Sequence, residues 1–358
     1  MNCRQRVLSA LVSGGYDRLP VRYMGEPVVT QALMQRLGAT DYELLLDRLG
    51  VDWRYVQPDY CGPAPRSFED GSRELVWPDR GWPVPTRYKD VAYSEGIYTE
   101  AVMRPFQTIA QVRELDRFSF PTADWINYSQ MRAKCEKHPE HAIVTGTPGV
   151  LDFINGVGHS RGIEQVFMDI GALDPVYLAL IENKYEFHYT MIERTLQAAG
   201  GLIDIVQTGE DLGTQLGLAL SPARFEELFA AKYRAFFEMV HHYGAKTMLH
   251  CCGSARRLLG RLIDLGLDIL DVVQVSAVGM DIEELACEFG RDLVFCGTMC
   301  VQTMLPKMTP AEVADAVALR RALFPDGGLI LGPSHSIQPD TPVENILAMY
   351  RSAGSLAE

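Results

Sequence analysis

No run of about 18 apolar residues, the length a membrane-spanning helix needs, occurs in the 358-residue chain. The stretch Met1–Leu19 carries arginines and only short apolar runs, which is not the make-up of a secretory signal, so a cytoplasmic location is expected. Cysteine is scarce: 8 residues, about two per cent, are too few for a disulfide scaffold and are expected as free thiols or metal ligands. Basic residues fall short of acidic ones, 33 against 46, for a net charge of −13. Nucleic acid and anionic membrane surfaces are therefore poor partners, because both need a field of Lys and Arg. Gly-x-Gly-x-x-Gly and Walker spacings at a strand-to-helix turn are also missing, so no cradle for nucleotide phosphates is expected.

What is present is a chain able to bury a large core: 47% hydrophobic and 22% charged residues. Its second half alternates short apolar runs with amphipathic stretches, the pattern of βα units on a parallel sheet. The expected strands are Ala142–Gly146, Leu202–Thr208, Lys246–His250, Ile269–Gln274, Leu293–Gly297 and Leu329–Gly332. Helices are expected after the hydroxyl-bearing starts Ser221-Pro222, Ser254, Thr309-Pro310 and Thr341-Pro342, with Glu312 and Glu344 placed to complete capping boxes. The fold class expected is α/β, a (β/α)8 TIM barrel forming a single domain over residues 1–358. A Pro- and Gly-rich stretch at about 59–105, with strand-like pieces Glu74–Trp77 and Ile97–Val102, reads as a small antiparallel excursion near the N-terminus.

Chemistry concentrates where strands end. Lys246-Thr-Met-Leu-His-Cys-Cys-Gly-Ser254 is an apolar strand closing in His250, Cys251 and Cys252, at the end where α/β barrels build their sites. Side chains alternate along a strand, so His250 and Cys252 face one way and Cys251 the other. That favours a His-x-Cys metal pair; the bland alternative is a strand-end histidine with two buried thiols. Catalytic zinc takes three protein ligands and keeps one position open. A third ligand can come from another strand end: His335 follows the last strand, and Glu210 and Asp211 follow Leu202–Thr208. Either carboxylate can serve as ligand, as orienter of His250, as general acid or base, or simply as an acid at a helix start. Cys296 and Cys300 are expected to be buried thiols, and His241-His242 to offset a helix dipole. Asp152, Asn155 and His159 are candidate substrate contacts, and Tyr23, Trp53, Tyr60 and Phe153 are candidate pocket walls or core residues.

Four motifs in order, Gly-Glu-Asp-Leu-Gly-Thr-Gln (209–215) with Ser221-Pro222, His-x-Cys-Gly (250–253), Gly-Leu-Asp-Ile-Leu-Asp (266–271) with Val-Val-Gln, and Gly-Pro-x-x-x-Ile-x-Pro-Asp-Thr-Pro-x-Glu-Asn-Ile (332–346), resemble the uroporphyrinogen decarboxylase superfamily. The branch resembled is that of zinc-dependent, corrinoid-linked methyltransferases, over residues 140–355. The resemblance implies a barrel with its site at the C-terminal mouth and a Zn2+ held by His250, Cys252 and a third ligand. His335 stands where thiol methyltransferases of this branch carry cysteine. The resulting His-Cys-His set is one charge more positive, which suits a Lewis acid better than an activator of thiolates. The function expected is transfer of a methyl group between a small O-, N- or S-methyl compound, or an acceptor thiol, and a corrinoid (cobalamin) on a partner protein. A homodimer is expected as the commonest assembly. Decarboxylases of the superfamily hold substrate carboxylates with an N-terminal segment Arg-Pro-Pro-x-Trp-x-Met-Arg-Gln-Ala-Gly. Here Arg18-Leu-Pro-Val-Arg-Tyr-Met-Gly25 keeps Arg22 but lacks the second arginine and the Gln-Ala-Gly. Decarboxylation, and a non-catalytic metal-binding barrel, remain the alternatives.

Overall fold

The computed structural model describes residues 1–93 and 96–356. Seven strands form one sheet: β1 (Trp53–Tyr55), β2 (Ala142–Leu151), β3 (Ile205–Gly209), β4 (Lys246–His250), β5 (Ile269–Asp271), β6 (Val294–Cys296) and β7 (Leu329–Ile330). They lie side by side in chain order, and every neighbouring pair is parallel. The sheet curls into a half-barrel with helices between successive strands, so β3, β5 and β6 are buried along their whole length, as expected of a parallel sheet covered on both faces. Where the sequence predicts eight strands, seven are described. Between the edge strands runs Pro20–Arg22, with only the isolated parallel bridge Val21–Leu331. Its carbonyls accept from Leu331 N on one side (Pro20 O, 2.8 Å) and Asp52 N on the other (Val21 O, 3.0 Å).

All six expected strands exist, but several are shorter than expected because the chain leaves the ladder early to build the mouth. Beyond Asp271 the Gln274 side chain serves a mouth loop, its Oε1 accepting from Gly253 N at 2.9 Å, and only single main-chain bonds, Val273 N to Gly297 O and Gly297 N to Ile330 O, continue between neighbouring segments. Among the described helices, Thr309 and Glu312 do form a capping box before Pro310–Leu323. Two expected caps fail. Ser254 Oγ donates instead to Val278 O at 2.6 Å, and the helix starts at Arg256. Thr341 Oγ1 has no hydrogen-bond partner, and Glu344 pairs with Arg36. The expected helix after Ser221 runs from Pro222 to His242 with one wide turn at Glu226–Ala230.

The antiparallel excursion is a hairpin, Arg87–Tyr93 against Gly96–Met103. Glu74–Trp77 is not a strand, and the bridge falls on Arg73. A second small pair joins Asp59–Tyr60, at the start of the predicted stretch, to Ile126–Asn127 beyond it. The hairpin touches the far side of the mouth through Tyr93 Oη, which donates to Gln338 Oε1 at 3.0 Å. Buried apolar residues form a continuous cluster from Val7 to Ala353. No helix among the described residues is long and apolar enough to cross a membrane.

Candidate metal centre

Strand β4 ends at His250, where the chain turns through Gly253 in the left-handed region (φ +78°). A Cβ there would lie 2.5 Å from the Gly213 carbonyl carbon, so the loops after β3 and β4 meet main chain to main chain and glycine is required. Strand alternation brings Cys252 Sγ to 3.5 Å from His250 Nε2, while Cys251 is fully buried on the other face. The loop after β7 delivers His335, whose ring centre is 5.8 Å from that of His250. One donor atom from each of His250, Cys252 and His335 lies within 4.8 Å of the other two. Ligands at zinc bond lengths in a tetrahedron are about 3.6 Å apart for a nitrogen and a sulfur, so the His250–Cys252 pair already stands at bonding separation, and the donor set fits zinc.

Paired carboxylates form the shell around these donors. Asp271 Oδ2 accepts from His250 Nδ1 at 3.1 Å and from Gln207 Nε2 at 2.9 Å. The proton is thereby held on Nδ1, and the Nε2 lone pair faces Cys252, the usual way an outer carboxylate orients a ligand imidazole. The other oxygen of Asp271 pairs with Arg22, and both residues are essentially inaccessible, 2% and 0% exposed. Burial alone would raise the Asp271 carboxyl; the Arg22 charge and the bonds from His250 and Gln207 overcome it and hold the group below its ordinary value. Arg22 Nη2 also donates to Pro333 O at 2.9 Å, so one guanidinium steadies the His250 side through Asp271 and the His335 loop through Pro333. Neither Arg22 nor Asp271 emerges as a site residue from the sequence. The signal was there: Asp271 closes a quoted motif, and Arg22 stands in the segment compared with the arginine segment of the decarboxylases.

Asp211 Oδ1 accepts from Cys252 N at 2.9 Å, and its Oδ2 from Asn155 Nδ2 at 2.7 Å. Burial pushes the Cys252 thiol up, and the Asp211 charge pushes it further, so a cation is what would make it a thiolate. Glu210 is buried, and its oxygens accept from Phe153 N at 2.7 Å and Ile154 N at 3.0 Å. Burial and the neighbouring Asp152 raise its carboxyl well above the usual range.

Beside His250 opens a cavity of about 390 Å³ lined by Asp211, Glu210, Asp152, His159, Arg80 and Trp82 among others. Asp152, Asn155 and His159, the candidate substrate contacts, are among the residues that line it. The aromatic candidates do not: Trp53, Phe153 and Tyr23 are core, and Tyr60 lines a separate groove. The walls are Trp82 and Tyr88, from the excursion. Beyond His335 lies a smaller space of about 230 Å³ lined by Gln274, Gln302, Ser334, Ser336 and Gln338. Cys296 and Cys300 are buried thiols, and His241, in its helix's last turn, pairs with Asp268 at 2.6 Å.

Residues 152–356, more than half of the chain, match the family described as uroporphyrinogen decarboxylase (URO-D). No curated protein sequence matches. Among solved structures, a methyltransferase from Methanosarcina mazei superposes with a TM-score of 0.65 at 17% identity, over 99% of this chain and 98% of that one. At that identity the likeness is one of fold.

Proposed function

The chain belongs to the uroporphyrinogen decarboxylase family, and from that footing we propose that it is a zinc-dependent methyltransferase acting on a small methylated compound, with a reduced corrinoid on a partner protein as methyl acceptor. The observation that carries this reading is the convergence of His250, Cys252 and His335, with His250 at the edge of an open cavity. In the same reading the chain is one domain, and Pro20–Arg22 takes the eighth place in a closed (β/α)8 barrel.

Bound zinc would supply Lewis-acid polarisation of a substrate heteroatom X. The chain's own residues do the rest. Asp271 keeps the His250 proton on Nδ1 and Arg22 keeps Asp271 ionised. Asp211 fixes the main chain of Cys252, and Glu210 fixes the turn at Phe153-Ile154 that carries Asn155 toward Asp211. As the C–X bond breaks, its electron pair stays on X, which takes up a proton, and the methyl group leaves with the electron pair of the reduced corrinoid. We assign that proton to the acids at the cavity wall, Asp211 first among them.

The decarboxylase reading is disfavoured by the use of Arg22: it is buried and paired with Asp271 and Pro333 O, so it has no face for a substrate carboxylate. The test is metal analysis of purified protein together with two assays: demethylation of methoxy, methylthio and methylamino compounds by reduced cobalamin, and methylation of thiols by methylcobalamin. About one zinc per chain and demethylation are expected. Thiol methylation alone would reverse the assigned direction, and a zinc-free protein indifferent to Cys252→Ala would remove the reading altogether.

A further inference from the structure

The cavity that begins at His250 ends, on the side of the excursion, in hydrogen-bond donors with nothing to bind. Trp82 is 5% exposed, and its indole Nε1 has no partner among the described residues. Arg80 Nε is buried and likewise unpartnered. The rest of that guanidinium lies 4.6 Å over the Tyr88 ring and reaches only the Thr99 carbonyl, at 3.4 Å. Lys184 is 1% exposed, donates to the Gly149 carbonyl at 3.1 Å, and stands 5.7 Å from the centre of the Trp82 ring. Among the described residues neither cation meets a carboxylate. Behind them Arg104 Nε is also buried without a partner. Burial and the charges of Arg80, Lys184 and Arg104 push His159 down to about 4, so it is a neutral imidazole.

These donors are held in place. His188, inside the helix Pro175–Ala199, accepts from Leu151 N through Nδ1 at 3.2 Å and donates through Nε2 to Gly81 O at 2.7 Å, which pins the main chain between Arg80 and Trp82. The acids at this end leave the donors' bonds unmade, and Lys184, lowered to about 8 by burial against the pull of Asp152 and Glu210, stays a cation at neutral pH. Asp152 is raised to about 6 by burial even with Lys184 opposing, Glu210 spends its oxygens on main-chain N–H groups, and Asp79 is exposed. Trp, Arg and Lys side chains only donate. A ligand here must therefore present acceptors, and a negative charge makes the bonds stronger.

We propose that this end of the cavity binds a carboxylate of the substrate, so that the methylated compound is an anion held by Arg80, Lys184 and the Trp82 indole N–H with its heteroatom toward His250, Cys252 and His335. This deepens the proposed function and rests on it for the identity of the cavity as the substrate's. It also disfavours simple methylamines, which carry no carboxylate for Arg80 and Lys184.

The test is calorimetric titration of the purified full-length protein with 4-methoxybutyrate and with its neutral match, 4-methoxybutanamide. The carboxylate is expected to bind on the order of tenfold more tightly, the usual worth of a hydrogen bond to a charged group. That preference should vanish in Arg80→Gln and Lys184→Met and shrink in Trp82→Phe, which keeps the ring and removes the N–H. Should the buried Lys184 variant not fold, Arg80→Gln carries the test, its side chain being only half-buried. Equal affinities, no binding of either compound, or a preference unchanged in Arg80→Gln would overturn the proposal. Zinc is measured on the same samples. Zinc without a carboxylate preference sinks this inference and spares the metal centre; the preference without zinc does the reverse.

Discussion

The two ends of the cavity are built on opposite plans. At the His250 end the carboxylates of the shell are paired: Asp271 takes bonds from His250, Gln207 and Arg22, and Asp211 takes them from Cys252 and Asn155, with Arg22 Nε the one shell atom left without a partner among the described residues. At the excursion end Trp82 Nε1 and Arg80 Nε have none. Two carboxyls tell the same story. Asp271 and Asp152 are both buried, yet the first is held below its ordinary value by Arg22 while burial lifts the second to about 6. A shell of paired carboxylates preorganises three donors for a small ion. An unsaturated wall is incomplete until a ligand supplies the acceptors. The contrast teaches which half of the site is finished by the fold and which by the substrate.

The contrast breaks if the two ends do not respond separately. Cys252→Ala should lower zinc affinity by more than the about 10–100-fold that losing an outer partner costs, and elemental analysis after dialysis should find only background metal. Arg80→Gln should retain full zinc occupancy. Loss of zinc in both variants would mean the cavity is one cooperative unit rather than two ends with different tasks.

Next in size is Arg22→Met, which strands Asp271 in the interior. Removing one partner of a buried pair costs about 3–5 kcal/mol, read by urea unfolding at neutral pH. The sign with pH follows from the depressed carboxyl. Stability from Asp271 is present above its unfolded value, near 3.8, and is lost as pH falls through the lower folded value. In the variant this contribution should disappear, so the gap to wild type narrows in acid. A gap independent of pH would show that Arg22 acts through packing alone.

Asp152→Asn probes the other end with the opposite sign. A carboxyl raised from 3.8 to about 6 costs stability as pH rises from the first value to the second, about 3 kcal/mol in full at about 1.4 kcal/mol per unit. The variant should therefore gain on wild type between pH 5 and pH 8, by about 1 kcal/mol of that total. A gain that shrinks toward pH 8 would place Asp152 in the paired class with Asp271.

How much of this was legible in the sequence follows the same division. The strands of the second half, the His-x-Cys pair and His335 could be read because each depends on local pattern: apolar runs, face alternation and turn residues at a strand end. β1 was missed because Trp53-Arg-Tyr55 puts a charged residue at its centre and lacks the apolar run that marks the other short strands. Arg22 and Asp271 lie 249 positions apart, and no local rule joins them. The anion-binding wall was out of reach for a related reason. Arg80 and Trp82 look like loop residues until His188 pins Gly81 against the barrel. Even the failed caps are instructive: Ser254 and Thr341 have the right letters, but tertiary partners at Val278 and the surrounding burial decide where hydroxyls go.

The smallest expected effect bears on whether an unpartnered buried atom by itself marks a ligand. Thr309 and Thr341 both precede Pro with Glu three residues on. Thr309 Oγ1 accepts from Glu312 N at 3.3 Å, and Glu312 answers at Thr309 N at 2.7 Å; Thr341 is 6% exposed with its hydroxyl unpaired and lines none of the cavities described above. Thr309→Ala should cost about 1 kcal/mol, the usual value of such a cap. Thr341→Val keeps the shape and removes an unsatisfied hydroxyl, so it should be neutral or stabilising by up to about 1–3 kcal/mol at most and by a few tenths more typically. Trp82→Phe is the matched case at the cavity: it too removes an unpaired donor and should not destabilise the free protein, but it should weaken carboxylate binding, which Thr341→Val leaves untouched. Identical behaviour of the two variants would reduce the unpaired indole to an ordinary packing defect.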